Sequence, residues 1–133
     1  MKIENGIIHP GVSIGSFNIG AKREDVTLLL KGDYRISERE DGTSFITGSN
    51  FKFWFNEQQE LDQIGVTEGF LGDYQSIHIG STMQDVFDKF GAYEDDGYVY
   101  LISGIDGICF ELKDVDDWEE LTAPIKWIFV YKN

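Results

Sequence analysis

The sequence predicts an α+β fold in which two tandem repeats, each a helix with three to four strands, share one antiparallel sheet and place both helices on one face. Three observations predict it. Fifteen Gly and two Pro suit short strands and turns, because each Gly inside a helix costs about 1 kcal/mol. Hydrophobic residues make up 41% of the 133 residues, enough for one core without disulfides. Similar segments also recur along the chain.

The repeats are recognised from three pairs of matching segments. The pairs are 17–26 with 77–86, 51–55 with 108–112, and 61–66 with 125–130. The first pair shares the pattern Ile-Gly-x4-Asp-Val, and the order of the segments is the same in both halves. We therefore infer a duplicated unit within a single domain of residues 1–133. Repeat 1 covers about residues 14–67 and repeat 2 about residues 74–131.

A helix is expected after the Ile-Gly pair of each repeat. At the start of the second helix, Ser81 or Thr82 can accept a hydrogen bond from an unpaired backbone N–H, and Gly91 supplies the end. Apolar residues between these points recur at helical spacing. They are Met83, Val86, Phe87 and Phe90 in repeat 2, and Val26, Leu29 and Leu30, followed by Gly32, in repeat 1.

Three strands are expected after the second helix, at residues 98–102, 107–113 and 125–131. A unit of three strands buries too little surface alone, so the repeats should share one sheet of about six to eight strands. Strand side chains alternate between faces, and the apolar positions that match between repeats should point toward the helices. They are Phe51, Phe53, Phe55, Ile64 and Val66, matched by Ile108, Phe110, Leu112, Ile128 and Val130.

The remaining strand residues should lie on the face without helices. They are Lys52, Trp54, Cys109, Glu111, Trp127, Phe129 and Tyr131. Two Trp, a Phe and a Tyr on one face exceed what a monomer normally exposes, and such patches mark protein interfaces. The sequence leaves open whether long loops or the first twenty residues cover this face instead. We expect partial exposure and interpret Trp54, Glu111, Trp127, Phe129 and Tyr131 as partner-binding residues.

The chain carries 24 acidic and 11 basic residues, giving a net charge of −13. This charge opposes binding to nucleic acids and to anionic lipid surfaces. It favours a basic protein partner, since opposite fields accelerate association. Acidic loops are expected to border the aromatic residues and to take part in binding, through Asp95, Asp96, Asp116, Asp117, Glu119 and Glu120.

The residues offer little for catalysis or for metal binding. His9, His78 and Cys109 are the entire imidazole and thiol content, and a Cys–His pair would need a third group to orient it. Residues 114–125 lack the Gly and Glu of a calcium loop, and the glycines do not match a phosphate-binding pattern. We predict no catalytic residue, cofactor site or metal site. The single cysteine, and the lack of a signal peptide or membrane span, favour the cytoplasm.

The Ile-Gly-x4-Asp-Val pattern, a short helix that ends in Gly, and Tyr-rich and Gly-Ile-x-Phe strands together resemble the BamE-like (SmpA/OmlA) unit. Its tandem duplication resembles the beta-lactamase inhibitor proteins, whose two repeats form a concave sheet that grips another protein. The resemblance covers roughly residues 14–131. The chain has neither the lipobox cysteine of BamE members nor the disulfides of the inhibitor, so export is not implied.

The acidic, aromatic-rich composition is also similar to that of the immunity proteins of bacterial toxin systems. These resemblances imply a non-enzymatic inhibitor that occludes the active site of a basic toxin domain, such as a nuclease. An alternative is a structural adaptor that self-associates, or binds partners, through its open sheet face or an edge strand.

Overall fold

The computed structural model describes residues 3–114 and 119–133. The helices are α1 (Arg23–Leu29) and α2 (Met83–Phe90). The strands are β1 (Ile8–His9), β2 (Ser13–Ile14), β3 (Phe17–Asn18), β4 (Arg35–Glu38), β5 (Ser44–Thr47), β6 (Phe51–Phe55), β7 (Leu61–Val66), β8 (Tyr93–Asp95), β9 (Tyr100–Ile102), β10 (Ile108–Leu112) and β11 (Ile125–Tyr131). No helix in these two ranges has the length and apolarity needed to cross a membrane.

The predicted fold class is wrong. The described part of the chain is mixed α/β but mostly sheet, with 39% of its residues in strands and bridges and 12% in helices. Its strands form an eight-stranded antiparallel sheet and a separate three-stranded sheet, rather than one sheet shared by two helix-plus-strand repeats. The separate sheet arises because Gly11 and Gly15 adopt φ angles of 73° and 57°, which allow tight turns between the two-residue strands β1, β2 and β3. Ile14 and residues 17–18 therefore belong to a different sheet from strands β4 to β7 of the proposed repeat 1.

The large sheet has the strand order β4-β5-β6-β7-β11-β10-β9-β8. Strands β4 to β7 pair in sequence order, and so do β8 to β11. The pairing of β7 with β11, in which Ile64 lies opposite Val130, joins these two meanders. Strands β4 and β8 form the two edges of the sheet.

One face of the large sheet forms the core. Phe51, Phe53 and Phe110 are completely buried on it. The small sheet covers this face, with the ring of Phe17 centred 4.8 Å from that of Phe53. Val26 of α1 and Val86 of α2 belong to the same buried cluster. Residues 3–20 thus pack on the side of the helices and leave the opposite face of the sheet partly exposed.

The ends of α2 confirm the sequence prediction. The hydroxyl of Thr82 accepts a hydrogen bond from the backbone N–H of Asp85, whose carboxylate accepts one from the backbone N–H of Thr82. This reciprocal arrangement is a capping box. Gly91 ends the helix in the left-handed conformation with φ 86°. Helix α1 differs, because its N-cap residue, Lys22, makes no side-chain hydrogen bond to the first turn.

Candidate binding face

The face of the large sheet that points away from the core carries a cluster of aromatic side chains. We term this surface the open face. Its strand residues are Arg35, Ser37, Phe45, Thr47, Lys52, Trp54, Gln63, Gly65, Glu94, Leu101, Cys109, Glu111, Trp127, Phe129 and Tyr131. On the strands between the two edges they alternate with the core residues. Strand pairing places them in rows across the sheet, because neighbouring strands are in register.

Three aromatic rings at the centre of the open face contact one another. Trp127 stacks on Phe129, with ring centroids 5.8 Å apart and planes within 5°. Trp54 meets the same Phe129 ring edge-on, at 5.9 Å. Both geometries are favoured by aromatic pairs. All three side chains are half-buried, and so is Tyr131 on the same strand as Phe129.

Gly65 makes room for this cluster. It lies between Lys52 of β6 and Phe129 of β11 in the paired strands. A Cβ atom at position 65 would lie only 2.8 Å from Cε1 of Phe129 and 3.3 Å from Cε3 of Trp127. The Phe129 ring therefore lies over the bare backbone of Gly65 and covers a position that has no side chain of its own.

Cations flank the aromatic residues toward the β4 edge. The Lys52 Nζ atom lies 4.2 Å from the centre of the Phe45 ring and 4.9 Å from that of Trp54. The Arg39 guanidinium carbon lies 5.2 Å from the centre of the Phe45 ring. All three distances fall within the range of cation–π attraction. Arg35 lines an open groove of about 720 Å³ beside Phe45.

Carboxylates lie toward the β8 edge of the same face. Glu111 of β10 is opposite Trp127, and Glu94 of β8 is opposite Leu101. Asp96 follows β8 and is close enough to act on Cys109. Burial raises the pKa of the Cys109 thiol to about 12, and the charge of Asp96 adds to the shift.

The predicted acidic residues do not all border the open face. Asp95 lies opposite Tyr100, on the core side of the sheet, and its carboxylate accepts a hydrogen bond from the backbone N–H of Gly97. Glu120 accepts a hydrogen bond from the Tyr93 hydroxyl, an interaction that raises the pKa of Tyr93 to about 12. Both carboxylates therefore lie on the helix side of the sheet and not on the open face.

The remaining acidic residues are divided between described and undescribed parts of the chain. Glu119 is exposed, and its carbonyl accepts hydrogen bonds from the backbone N–H groups of Thr122 and Ala123. Asp116 and Asp117 lie outside the described residues. Among the described residues, the structure thus brings Trp54, Trp127, Phe129, Tyr131 and Glu111 together, with Asp96 at their border.

Nucleophilic catalysis and metal binding find little support in the described residues. The raised pKa keeps Cys109 a protonated thiol near neutral pH, and a thiol is a poor nucleophile. The ring Nδ1 of His78 lies 2.7 Å from the Ile79 carbonyl oxygen on an exposed segment. Within residues 3–114 and 119–133, no three His, Cys, Asp or Glu side chains are grouped in a way that could hold a metal ion.

Arg35, Arg39 and Phe45 are site residues that the sequence patterns did not predict. They belong to the hairpin of β4 and β5, which those patterns did not predict either. The turn signal was present, because Asp41-Gly42 is a frequent hairpin turn, but the segments on either side, Arg-Ile-Ser-Glu and Ser-Phe-Ile-Thr, do not alternate regularly between apolar and polar residues. In the structure Asp41 accepts hydrogen bonds from Thr43, and Gly42 has φ 90°.

No family model matches the chain, and no curated protein matches it. Its fold is similar to the crystal structure of the uncharacterized protein yfeY from Escherichia coli, with a TM-score of 0.60. The two chains are 15% identical, and the match covers 99% of this chain and 100% of that one. At this level of identity the similarity concerns the fold alone.

Proposed function

We propose that this chain is a non-enzymatic binding protein. Its open face binds a basic protein partner and occludes the active site of that partner, in the way that an immunity protein neutralises its toxin. The aromatic cluster is the observation that carries this proposal. Trp54, Trp127, Phe129 and Tyr131 lie together on a sheet face that neither the helices nor the small sheet covers. Trp and Tyr at the centre of a surface patch are the residues that contribute most to binding energy in protein complexes.

Charge supports the choice of a basic partner. The net charge of −13 would attract such a partner over distance and accelerate its association, most strongly at low salt. Glu94, Asp96 and Glu111 would meet its basic groups beside the aromatic centre. In a nuclease toxin these carboxylates would occupy the position of substrate phosphates and block the active site by steric and electrostatic means.

The proposal assigns no catalytic role to any residue. Burial keeps the single thiol protonated, and His78 uses a ring nitrogen in a local backbone contact. We also propose a cytoplasmic location, where a lone buried cysteine such as Cys109 stays reduced.

Affinity capture with matched variants tests the proposal. The immobilised chain is incubated with a lysate of the organism that carries its gene, at about 50 mM and then about 300 mM salt, and the retained proteins are identified by mass spectrometry. We expect a basic protein that is retained at low salt and released at high salt. Trp54→Ala/Trp127→Ala should lose it, because the variant removes two anchors from the open face.

The control is Leu28→Ala/Phe87→Ala, which removes two large apolar side chains that are 81% and 49% exposed on α1 and α2. It should retain the partner as the unmodified chain does. Circular dichroism establishes that each variant is folded. Retention of the same partner by the folded Trp54→Ala/Trp127→Ala variant would contradict the assignment of the open face.

A further inference from the structure

We infer that the open face receives an arginine side chain of the partner above Cys109 and beside the ring of Tyr131. Because this site names the group by which a basic partner is recognised, it rests on the proposed function. The open face has two halves with different charges. We term strands β4 to β7 its β4 half and strands β8 to β11 its β8 half.

The β4 half has cations of its own. The Nζ atom of Lys52 lies 4.2 Å from the centre of the Phe45 ring, and the guanidinium carbon of Arg39 lies 5.2 Å from the same centre. Two carboxylates accompany them, since Asp41 and Asp62 line a cavity of about 190 Å³ with Arg39 and Phe45. Charges of both signs are therefore mixed in this half, and a basic side chain of a partner would be repelled by Lys52 and Arg39.

The β8 half carries carboxylates that its own chain leaves without counter-ions. Glu111 follows Cys109 on the same side of β10, Asp106 lies in the turn before that strand, and Asp96 follows β8. Within residues 3–114 and 119–133, no ion pair joins any of these three carboxylates to a Lys or Arg side chain. A cation supplied by a partner would therefore find acceptors here that are not already in use.

Two lysines border the β8 half at the end of the sheet where β10 ends and β11 begins. Lys113 and Lys126 line a cavity of about 510 Å³ there. Glu68 and Asp114 line the same cavity, so carboxylates accompany these lysines. The two lysines are therefore matched locally and leave the charge around Cys109 negative.

Cys109 forms the floor of the inferred site and Tyr131 forms its side. Cys109 is only 8% exposed although it lies on the open face, opposite Phe129. Burial raises the pKa of Tyr131, and the charges of Asp106 and Asp96 add to the shift. Asp96 acts in the same direction on Cys109, and no Lys or Arg contributes at either residue. A cation above Cys109 would thus be attracted by both aspartates, next to a surface that largely excludes water.

Arginine suits this site better than lysine. A guanidinium group is planar and less strongly hydrated than an ammonium group, so it can stack on an aromatic ring next to a surface that excludes water. Tyr131 supplies an aromatic ring at this position. The carboxylates of Asp96 and Glu111 lie on the other sides of Cys109 and can accept charge-assisted hydrogen bonds from the fork of N–H groups.

Titration with blocked tripeptides, followed through the NMR signals of the backbone amides, tests the inference. The probes are acetyl-Gly-Arg-Gly-amide and its counterparts with lysine and with citrulline, which has the shape of arginine but no charge. We expect the arginine peptide to bind with a Kd of about 1–10 mM and to shift the amides of Cys109, Glu111 and Tyr131. The lysine peptide should bind at least about threefold more weakly, and the citrulline peptide should not bind at about 20 mM.

Two variants of equal charge locate the site. Asp96→Asn/Glu111→Gln should bind the arginine peptide at least about tenfold more weakly, because it removes two acceptors of charge-assisted hydrogen bonds. The control is Asp41→Asn/Asp62→Asn, which removes two carboxylates from the β4 half and should bind the peptide as the unmodified chain does. All four replacements keep the shape of the side chain, and the amide spectra establish that each variant is folded.

Several results would overturn the inference. They are failure of the arginine peptide to bind at about 20 mM, equally tight binding of the lysine or citrulline peptide, unchanged binding by Asp96→Asn/Glu111→Gln, and shifts centred on Phe45 and Lys52. If the chain nevertheless captures a basic protein through Trp54 and Trp127, the proposed function stands and only the arginine site is rejected. Binding of the arginine peptide at the expected amides without any captured protein would support the site and count against the proposed function.

Discussion

Two aspartates of this chain respond to pH in opposite directions. Asp62 is the unpaired residue where the register of β6 and β7 shifts, and burial raises its pKa above the unfolded value of 3.8. Its ionised form is therefore unfavourable in the folded state, and this penalty disappears as pH falls through the folded pKa. Asp41 accepts hydrogen bonds from Thr43, which lower its pKa, so it stabilises the fold at neutral pH and loses this effect on acidification.

Asp62→Asn should therefore raise the free energy of unfolding at pH 7, because it removes a partly buried charge. The gain should shrink as the pH falls through the raised folded pKa toward 3.8, and it should vanish below that value, where the original carboxyl is protonated in both states. Urea unfolding of both proteins between about pH 3 and pH 7 measures this difference. Asp41→Asn is the control with the opposite sign, and it should be less stable at pH 7. A loss of stability at pH 7 in Asp62→Asn would show that the ionised carboxylate has a favourable partner.

Gly65→Ala should destabilise the fold by about 1–3 kcal/mol, the usual range for overpacking. The added methyl group would displace the Phe129 ring, from which its Cβ atom is only 2.8 Å away. Urea unfolding gives the loss, and Trp fluorescence reports the changed surroundings of Trp54 and Trp127. The loss of stability caused by Gly65→Ala should be much smaller in a Phe129→Ala background. Equal losses in both backgrounds would mean that the ring is not what excludes a side chain at position 65.

The two helices differ in how their first turns are capped. Thr82→Ala should lower the free energy of unfolding by about 1 kcal/mol, because it removes one half of the capping box of α2. Lys22→Thr is the converse test, since Asp25 lies three residues after Lys22 and could complete a capping box in α1. It should stabilise by a few tenths to about 1 kcal/mol, given that the lost Lys22–Glu60 ion pair is exposed. Thermal unfolding measures both, and a destabilised Lys22→Thr would contradict the argument.

Elements with strong local signals could be predicted from the sequence. The cap of α2 and its terminal Gly91 follow from residue type alone, and β10 and β11 follow from the alternation of apolar residues. The hairpin of β4 and β5 was missed because charged residues dominate β4, which reflects its position at an exposed edge. Because this hairpin was not predicted, Phe45, Arg35 and Arg39 were missing from the expected binding face, although Lys52 was placed on it.

At the scale of the whole molecule, composition correctly indicated a strand-rich chain, but similarity between segments led to the wrong architecture. Strands β1 to β3 contain two residues each, too few for any periodic pattern. They are set by glycine turns and by tertiary packing, such as the contact of Phe17 with Phe53. For the candidate site, the alternation of strand side chains correctly predicted that Trp54, Trp127, Phe129 and Tyr131 share one face. The positions of loop carboxylates such as Glu120 could not be predicted from the sequence.

The buried side chain of Asn50 links the start of the N-terminal segment to the turn between β5 and β6. The Asn50 side chain accepts a hydrogen bond of 2.8 Å from the Ile3 backbone N–H and donates one of 2.7 Å to the Ile3 carbonyl. Asn50→Ala should cost about 1–3 kcal/mol, because it leaves both backbone groups without a partner. Hydrogen exchange should rise more in residues 3–18 than in β7 and β11. A uniform rise over the whole chain would show that the N-terminal segment cannot open separately.

The strand order also determines how the chain can reach its native state. Within each meander, strands that pair are neighbours in sequence, and such hairpins form in about 1–10 μs. The contact of β7 with β11 is different, because it closes a loop of about sixty residues before Ile64 and Val130 can meet. The search for the pairing of β7 with β11, rather than the formation of any hairpin, should set the folding time. This time should lie in the range of milliseconds to seconds that is typical of sheets with distant pairings.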